Sequence, residues 1–103
     1  MAPIMKVERT QESDTAVETD RIVRAVLTDV LGLAPAQVEI FTEETPLFGA
    51  LPELDSMAVA GLLTELEDRL DIIIEDDDID GDTFETLGSL TMFAQSKLNE
   101  KAR

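Results

Sequence analysis

Few residues in this chain could do chemistry. Its 103 residues contain no cysteine, histidine, tyrosine or tryptophan, so imidazole acid–base catalysis, thiolate nucleophiles and zinc sites built on His or Cys are excluded. What remains is one hydroxyl in the stretch Leu54, Asp55, Ser56, Met57, where an acidic loop turns into an apolar, periodic segment. A serine hydroxyl is a weak nucleophile until a base or metal activates it. The lysines nearest in sequence, Lys6 and Lys97, are far from Ser56, so a self-contained hydrolase is not expected. The same hydroxyl suits modification by another enzyme: a phosphodiester at a helix N-terminus faces free N–H groups and the positive end of the dipole. Asp55 and Ser56 would also serve as plain helix caps.

The second candidate is acidic. Glu75 to Asp82 carries six acids among eight residues. Asp76, Asp78, Asp80, Gly81 and Asp82 match the opening of a calcium-binding loop, but the position that needs a bidentate Glu holds Leu87 and Glu85 comes too early. A weak calcium site is therefore one alternative reading. An unmodified acidic adaptor for a basic protein is another. The whole chain has 23 acidic against 8 basic groups, a formal charge of -15. That charge repels nucleic acid and anionic lipid and attracts basic protein surfaces. Glu65, Glu67, Asp68 and Asp71, joined by Asp76 to Asp78, form the expected docking face. Single rim ion pairs add little affinity, yet their summed field raises encounter rates and sets orientation.

The elements that must position Ser56 follow from periodicity. Thr15 to Glu18 has the spacing of a capping box, and Ile22, Val23, Val26, Leu27, Val30 and Leu31 then recur at three and four residues. A helix is predicted over about 16–31, stopped by Gly32 and Pro35. From Leu33 to Glu53 the period is lost among Pro35, Pro46, Gly49 and Pro52. Val38, Phe41, Leu47, Phe48 and Leu51 are expected to pin this long loop, because its backbone cannot hold itself, with a short turn near Pro35 to Val38. A second long helix is predicted over Ser56 to Leu70, with Met57, Val59, Leu62, Leu63, Leu66 and Leu70 as its apolar stripe. Gly61 inside it calls for close packing or a close partner.

Ile72, Ile73 and Ile74 read as a connector plugging one end of the bundle, and Ile79 and Phe84 as anchors of a short helical piece. Thr86 or Ser89 caps a last helix bearing Leu87, Leu90, Phe93, Ala94 and Leu98, with Lys97, Lys101 and Arg103 complementing its dipole. The fold class is all-α: a four-helix bundle of three longer helices and one short one, with a long loop between the first two long helices. The domain expectation is a flexible arm at 1–14, a helical domain at 15–98 and a tail at 99–103. No apolar run is long enough to span a membrane and no secretory signal is recognisable at the start, so a cytoplasmic monomer is expected.

At this point the sequence resembles the acyl and peptidyl carrier proteins, over roughly Val17 to Leu98. The carrying residues are Leu54, Asp55, Ser56 and Met57, followed by Leu62, Leu63, Leu66, Glu67 and Leu70, and later by the Thr86-Leu87-Gly88-Ser89-Leu90 stretch. The resemblance implies that Ser56 receives 4'-phosphopantetheine from coenzyme A, with Asp55 helping to position the Mg-dependent transfer. It also implies a non-catalytic carrier of acyl or aminoacyl thioesters. Its partners would be a phosphopantetheinyl transferase, an acyl-activating ligase or acyltransferase, and condensing or transferring enzymes with basic docking patches. Three departures stand out: Leu54 where many members have glycine, Gly61 where fatty-acid carriers commonly have an acid, and Thr64 where a large apolar residue is usual. They point away from housekeeping fatty-acid synthesis toward a specialised pathway. The Leu51 to Met57 wording also looks like stand-alone carriers associated with exopolysaccharide and exosortase systems.

Overall fold

The structure, a computed structural model, describes the backbone of residues 2–101 and the side chains of residues 16–101. Helix α1 runs Ala2–Leu31, α2 Pro35–Glu39, α3 Ser56–Leu70 and α4 Leu87–Lys101, with a 3-10 turn at Asp76–Asp78. The architecture is the all-α bundle of three longer helices plus short pieces. α1 is the central element and packs against α3, α4 and α2. Val23, Val26 and Leu27 of α1, Leu62 and Leu66 of α3, and Leu87, Leu90 and Ala94 of α4 are fully buried in one core.

The start of α1 corrects the sequence expectation. The helix begins at Ala2 and not near residue 16, so Thr15 lies within helical backbone and is not an N-cap. Nothing between Met5 and Asp14 stops a helix: there is no glycine or internal proline there, and Pro3 falls in the first turn, where proline is tolerated. The side chains of the expected arm at 1–14, and Arg103 at the other end, lie outside the described residues. At its C-terminus α1 ends as expected, on Gly32 at φ 71°, whose N–H donates to Thr28 O at 3.0 Å.

The long loop is held differently from the expectation. Leu47 is fully buried and Val38 nearly so, but the Phe48 side chain is 56% exposed and is not part of the core. Backbone pairing holds the loop as well. The N–H groups of Leu47 and Phe48 donate to Glu85 O and Phe84 O at 2.9 and 3.0 Å, and those of Leu87 and Gly88 donate to Thr45 O and Glu43 O at 3.0 and 2.8 Å. The loop thus satisfies two of the first N–H groups of α4, which have no partner inside their own helix. One antiparallel bridge, Pro46 with Thr86, marks the crossing. Arg24 of α1 secures the other half of the loop: its guanidinium donates to Val38 O at 2.7 Å and Phe41 O at 3.0 Å, while Asp20 accepts from its Nε at 2.8 Å.

α4 opens with the expected cap, completed reciprocally. Thr86 Oγ1 accepts from the Ser89 N–H and Ser89 Oγ accepts from the Thr86 N–H, each at 3.0 Å. The isoleucine connector plugs the bundle only in part: Ile72 is buried, Ile74 half-buried and Ile73 exposed.

Lys97 of α4 fastens the 3-10 turn. Its ammonium lies 2.8 Å from Asp78 and 3.1 Å from Glu100. The Lys97 hydrogen bond, with a second from the Glu75 N–H, holds the Asp78 carboxyl below the ordinary carboxylate range. A depressed folded-state value contributes stability above the unfolded-state value that is lost as pH falls through the folded one. The stability difference between parent and Asp78→Asn is therefore expected in full at neutral pH and to shrink below pH of about 4. Urea melts of both proteins at the two pH values check this; a difference of equal size at both would show that the ion pair is not its source.

Candidate functional site

Ser56 is the first residue of α3, and its side chain is exposed. Asp55 is the N-cap, with extended backbone, and its Oδ1 accepts from the Ala58 N–H at 2.9 Å. The residue before it, Leu54, is only 4% exposed and belongs to the core. The alternation has a simple mechanical result: a buried leucine fixes the strand of loop, an aspartate fixes the helix start, and the serine between cap and helix faces solvent. The first N–H groups of α3 point out beside it, as they do at any helix N-terminus. The loop reaches this point through Gly49, whose φ of 92° favours glycine.

Met57 departs from the expected apolar stripe and is 85% exposed. At about 100° per residue it stands roughly opposite Leu66, the centre of the buried face. The exposed surface of α3 next to Ser56 therefore consists of Met57, Ala60 and Thr64. Gly61 faces α1, and a Cβ built there would lie 3.3 Å from Val30 Cγ1. Its place in mid-helix is explained by helix packing. A cleft of about 470 Å³ lies between α1 and α4, lined in part by Val17, Leu87 and Met92, and includes no α3 residue.

The four carboxylates expected to face partners are not equivalent. Glu67 is half-buried and accepts from the Ile74 N–H at 2.8 Å, which ties the connector back to α3. Glu65 accepts from Arg69 Nε at 2.9 Å. Asp68 is exposed and, among the described residues, in no ion pair. Asp71 is the C-cap of α3 at φ 55°, ψ 51°, with its carboxylate 3.3 Å from Lys101. A left-handed conformation is costly for aspartate, and an acid at a helix C-terminus opposes the dipole. Asp71→Gly is accordingly expected to raise stability by about 0.5–1 kcal/mol, net of the added unfolded-state entropy, read as a higher urea midpoint. A lower midpoint would mean that the Lys101 contact outweighs the backbone gain.

The calcium alternative does not gain a site. Asp78 is engaged by Lys97 and the Glu75 N–H, and Asp80 Oδ1 accepts from the Asp82 N–H at 3.0 Å and the Thr83 hydroxyl at 3.2 Å. Asp76, Asp78, Asp80 and Asp82 form no chelate, and among the described residues no three Asp or Glu side chains group so as to hold a metal ion.

Sequence reasoning missed two residues. One is Gly88, whose N–H meets the loop; the other is Arg69, which bridges Glu65 to Asp29 of α1 at 2.7 Å. The spacing of Glu65 and Arg69, four apart on a helix, was a readable signal for the first half of that bridge.

Comparison with known proteins adds the following. Residues 21–93 match the family described as "Phosphopantetheine attachment site". The chain is similar to the solution NMR structure of a holo acyl carrier protein from Nitrosomonas europaea, at 44% identity and a TM-score of 0.71, over 79% of this chain and 95% of that one. No curated protein matches. Residues 21–93 contain two serines, Ser56 and Ser89. The Ser89 hydroxyl is half-buried and donates toward Thr83 O and Thr86 O while accepting from the Thr86 N–H, so Ser56 is the exposed one.

Proposed function

The chain belongs to the phosphopantetheine attachment-site family, the carriers that hold acyl groups through a phosphopantetheine on a serine, and from that membership we propose that Ser56 is the attachment residue. The observation that carries the assignment is the contrast between the two serines in the matched region: Ser56 is exposed at a helix N-terminus, Ser89 is consumed in a cap. The local residues fit the group. Asp55 fixes the start of α3, Leu54 keeps the loop from swinging away, and the first N–H groups of the helix offer a phosphodiester a favourable field. The group, once attached, supplies a terminal thiol that this cysteine-free chain lacks. What the chain contributes is presentation, transport and partner choice. It is a carrier and not a catalyst.

The partners proposed are a phosphopantetheinyl transferase, a ligase or acyltransferase that charges the arm, and condensing or transferring enzymes with basic docking faces. Asp68, exposed and in no ion pair among the described residues, is the best-placed carboxylate of the proposed docking face; Asp71 is exposed but contacts Lys101, and Glu67 and Glu65 already have internal partners. Met57, exposed beside the serine, supports an apolar contact at the same end. Leu54, Gly61 and Thr64 support service in a specialised pathway, with acyl or aminoacyl cargo, over general fatty-acid synthesis; the Leu51 to Met57 wording also resembles stand-alone carriers associated with exopolysaccharide and exosortase systems. The domain proposed is 15–98, acting as a cytoplasmic monomer. No described helix is long and apolar enough to cross a membrane.

The test is intact mass after incubation with coenzyme A, Mg²⁺ and a broad-specificity phosphopantetheinyl transferase. The parent and Ser89→Ala are expected to gain one phosphopantetheinyl group and Ser56→Ala none. Absence of any gain in the parent with several transferases would favour the unmodified adaptor.

A further inference from the structure

We propose that the outward face of α4 centred on Met92 is a second docking surface, and that it takes a basic amphipathic helix of a partner protein. Met92 is 74% exposed. At about 100° per residue it stands opposite the buried side of α4 formed by Leu87, Leu90 and Ala94. It makes a ridge between two hollows. One is the cleft of about 470 Å³ toward α1, with Val17 and Leu87 in its walls. The other, of about 320 Å³, opens toward residues 80–83 and has Phe93 in its wall. Val17 is itself 53% exposed. A ridge along one helix with a hollow on either side is the relief into which the side-chain rows of a second helix pack, and a flexible thioether at its crest adapts to what meets it.

The occupant follows from the charge. Asp20 and Glu43 line the first hollow, Asp80 and Asp82 the second, and no lysine or arginine lines either. Asp20 is paired with Arg24. Glu43 and Asp82, however, are exposed and in no ion pair among the described residues, and Asp80 accepts from the uncharged Asp82 N–H and Thr83 hydroxyl. A helix that fills the hollows with an apolar stripe and sets Lys or Arg beside that stripe meets both features at once. An acidic helix of the same shape is turned away by the carboxylates. No α3 residue lines either hollow, so a partner seated here and an enzyme working at Ser56 touch different residues. The proposal does not depend on Ser56 being modified.

The experiment is titration of the full chain with a synthetic amphipathic peptide of about four helical turns, leucine on one face and lysine on the others, followed by calorimetry and by amide chemical shifts. A second peptide of the same charge has serine in place of leucine. The proteins are the parent, Met92→Gln, Glu43→Gln/Asp82→Asn, and Ile73→Gln, which makes the same kind of change at another exposed apolar residue among acids. All these side chains are exposed, so the core is untouched. The leucine peptide is expected to bind the parent and to shift the amides of residues 16–20 and 87–96. Met92→Gln should weaken it by about threefold to tenfold and Ile73→Gln should not. Glu43→Gln/Asp82→Asn should weaken it at low salt and match the parent at high salt. The serine peptide should bind more weakly than the leucine one. Equal binding of the two peptides would reduce the effect to net charge and overturn the proposal. So would an undiminished affinity in Met92→Gln, shifts centred on α3 or on Ile73, or no binding to the parent at low salt. Sedimentation of the parent alone covers the remaining occupant: a dimer lost in Met92→Gln would assign the face to a second copy and overturn the proposal.

Discussion

Leu54→Ala is expected to destabilise the protein by about 2–4 kcal/mol and to slow phosphopantetheine loading severalfold even where the variant remains folded. Leu54 is buried in the core directly before the cap that starts α3. Removing its side chain forfeits the transfer energy of three carbons and leaves a cavity at the junction of loop and helix, the usual origin of losses of that size. For a domain of this length the melting temperature should fall by roughly 10–25 °C. Function should suffer separately, because the Leu54 anchor is what keeps Asp55 in extended backbone and Ser56 at the first helical position. Leu54→Met, which conserves volume, should cost under about 1.5 kcal/mol and load nearly as the parent does. Thermal melts and loading rates of the two variants check the account. If Leu54→Ala melted like the parent, the anchor would be superfluous and the serine's position would have another cause.

Gly88→Ala is expected to destabilise by about 1–3 kcal/mol, against the sign that helix propensity gives. Alanine is better than glycine in a helix by about 1 kcal/mol, and position 88 lies within the first turn of α4. Yet a Cβ there would stand 2.8 Å from Glu43 O and 3.1 Å from Glu43 Cβ. Those atoms are loop backbone and its first side-chain carbon, so the loop itself must retreat. Retreat stretches the Gly88 N–H to Glu43 O bond and the neighbouring Leu87 N–H to Thr45 O bond, each worth about 1 kcal/mol. Urea denaturation reads the sign directly: a raised midpoint would mean that the loop yields at no cost and that its backbone bonds to α4 hold nothing.

These two positions also show what the sequence could and could not disclose. The α3 boundaries, the Asp55 cap, the exposed Ser56 and the Thr86–Ser89 capping pair were all readable, because each depends on residues within a turn of one another. Local hydrogen bonding and a 3.6-residue period leave their trace in the order of residues. The beginning of α1 was misplaced for a related reason: Thr15 to Glu18 is a sound capping box, but a cap signal starts a helix only where the preceding residues leave helical backbone, and nothing upstream makes them do so.

Met57 could have been placed correctly. Its angular distance from Leu66 puts it on the outer face, and counting apolar residues without measuring the angle hid this. The loop is different. Its attachment to α4 is a pairing of Leu47 and Phe48 with Glu85 and Phe84 and of Thr45 and Glu43 with Leu87 and Gly88, all between backbone groups some forty residues apart. Backbone atoms are the same in every residue, so such a contact has no side-chain signature beyond a glycine where two chains come close. Gly88 was that signature. Arg69 was half legible, through Glu65 on its own helix, while Asp29 belongs to another helix and became its partner only through the fold.

The central claim is that Ser56 carries the arm, and site-resolved mass spectrometry of trypsin-digested protein, loaded by a phosphopantetheinyl transferase or isolated from its native cell, tests it most directly. Cleavage after Arg24 and Arg69 releases Ala25–Arg69, in which Ser56 is the single serine, whereas Ser89 and Ser96 fall together on Leu70–Lys97. The account predicts one phosphopantetheinyl mass on the first peptide, with fragment ions placing it at Ser56. That mass on the second peptide, beside an unmodified Ala25–Arg69, would contradict it.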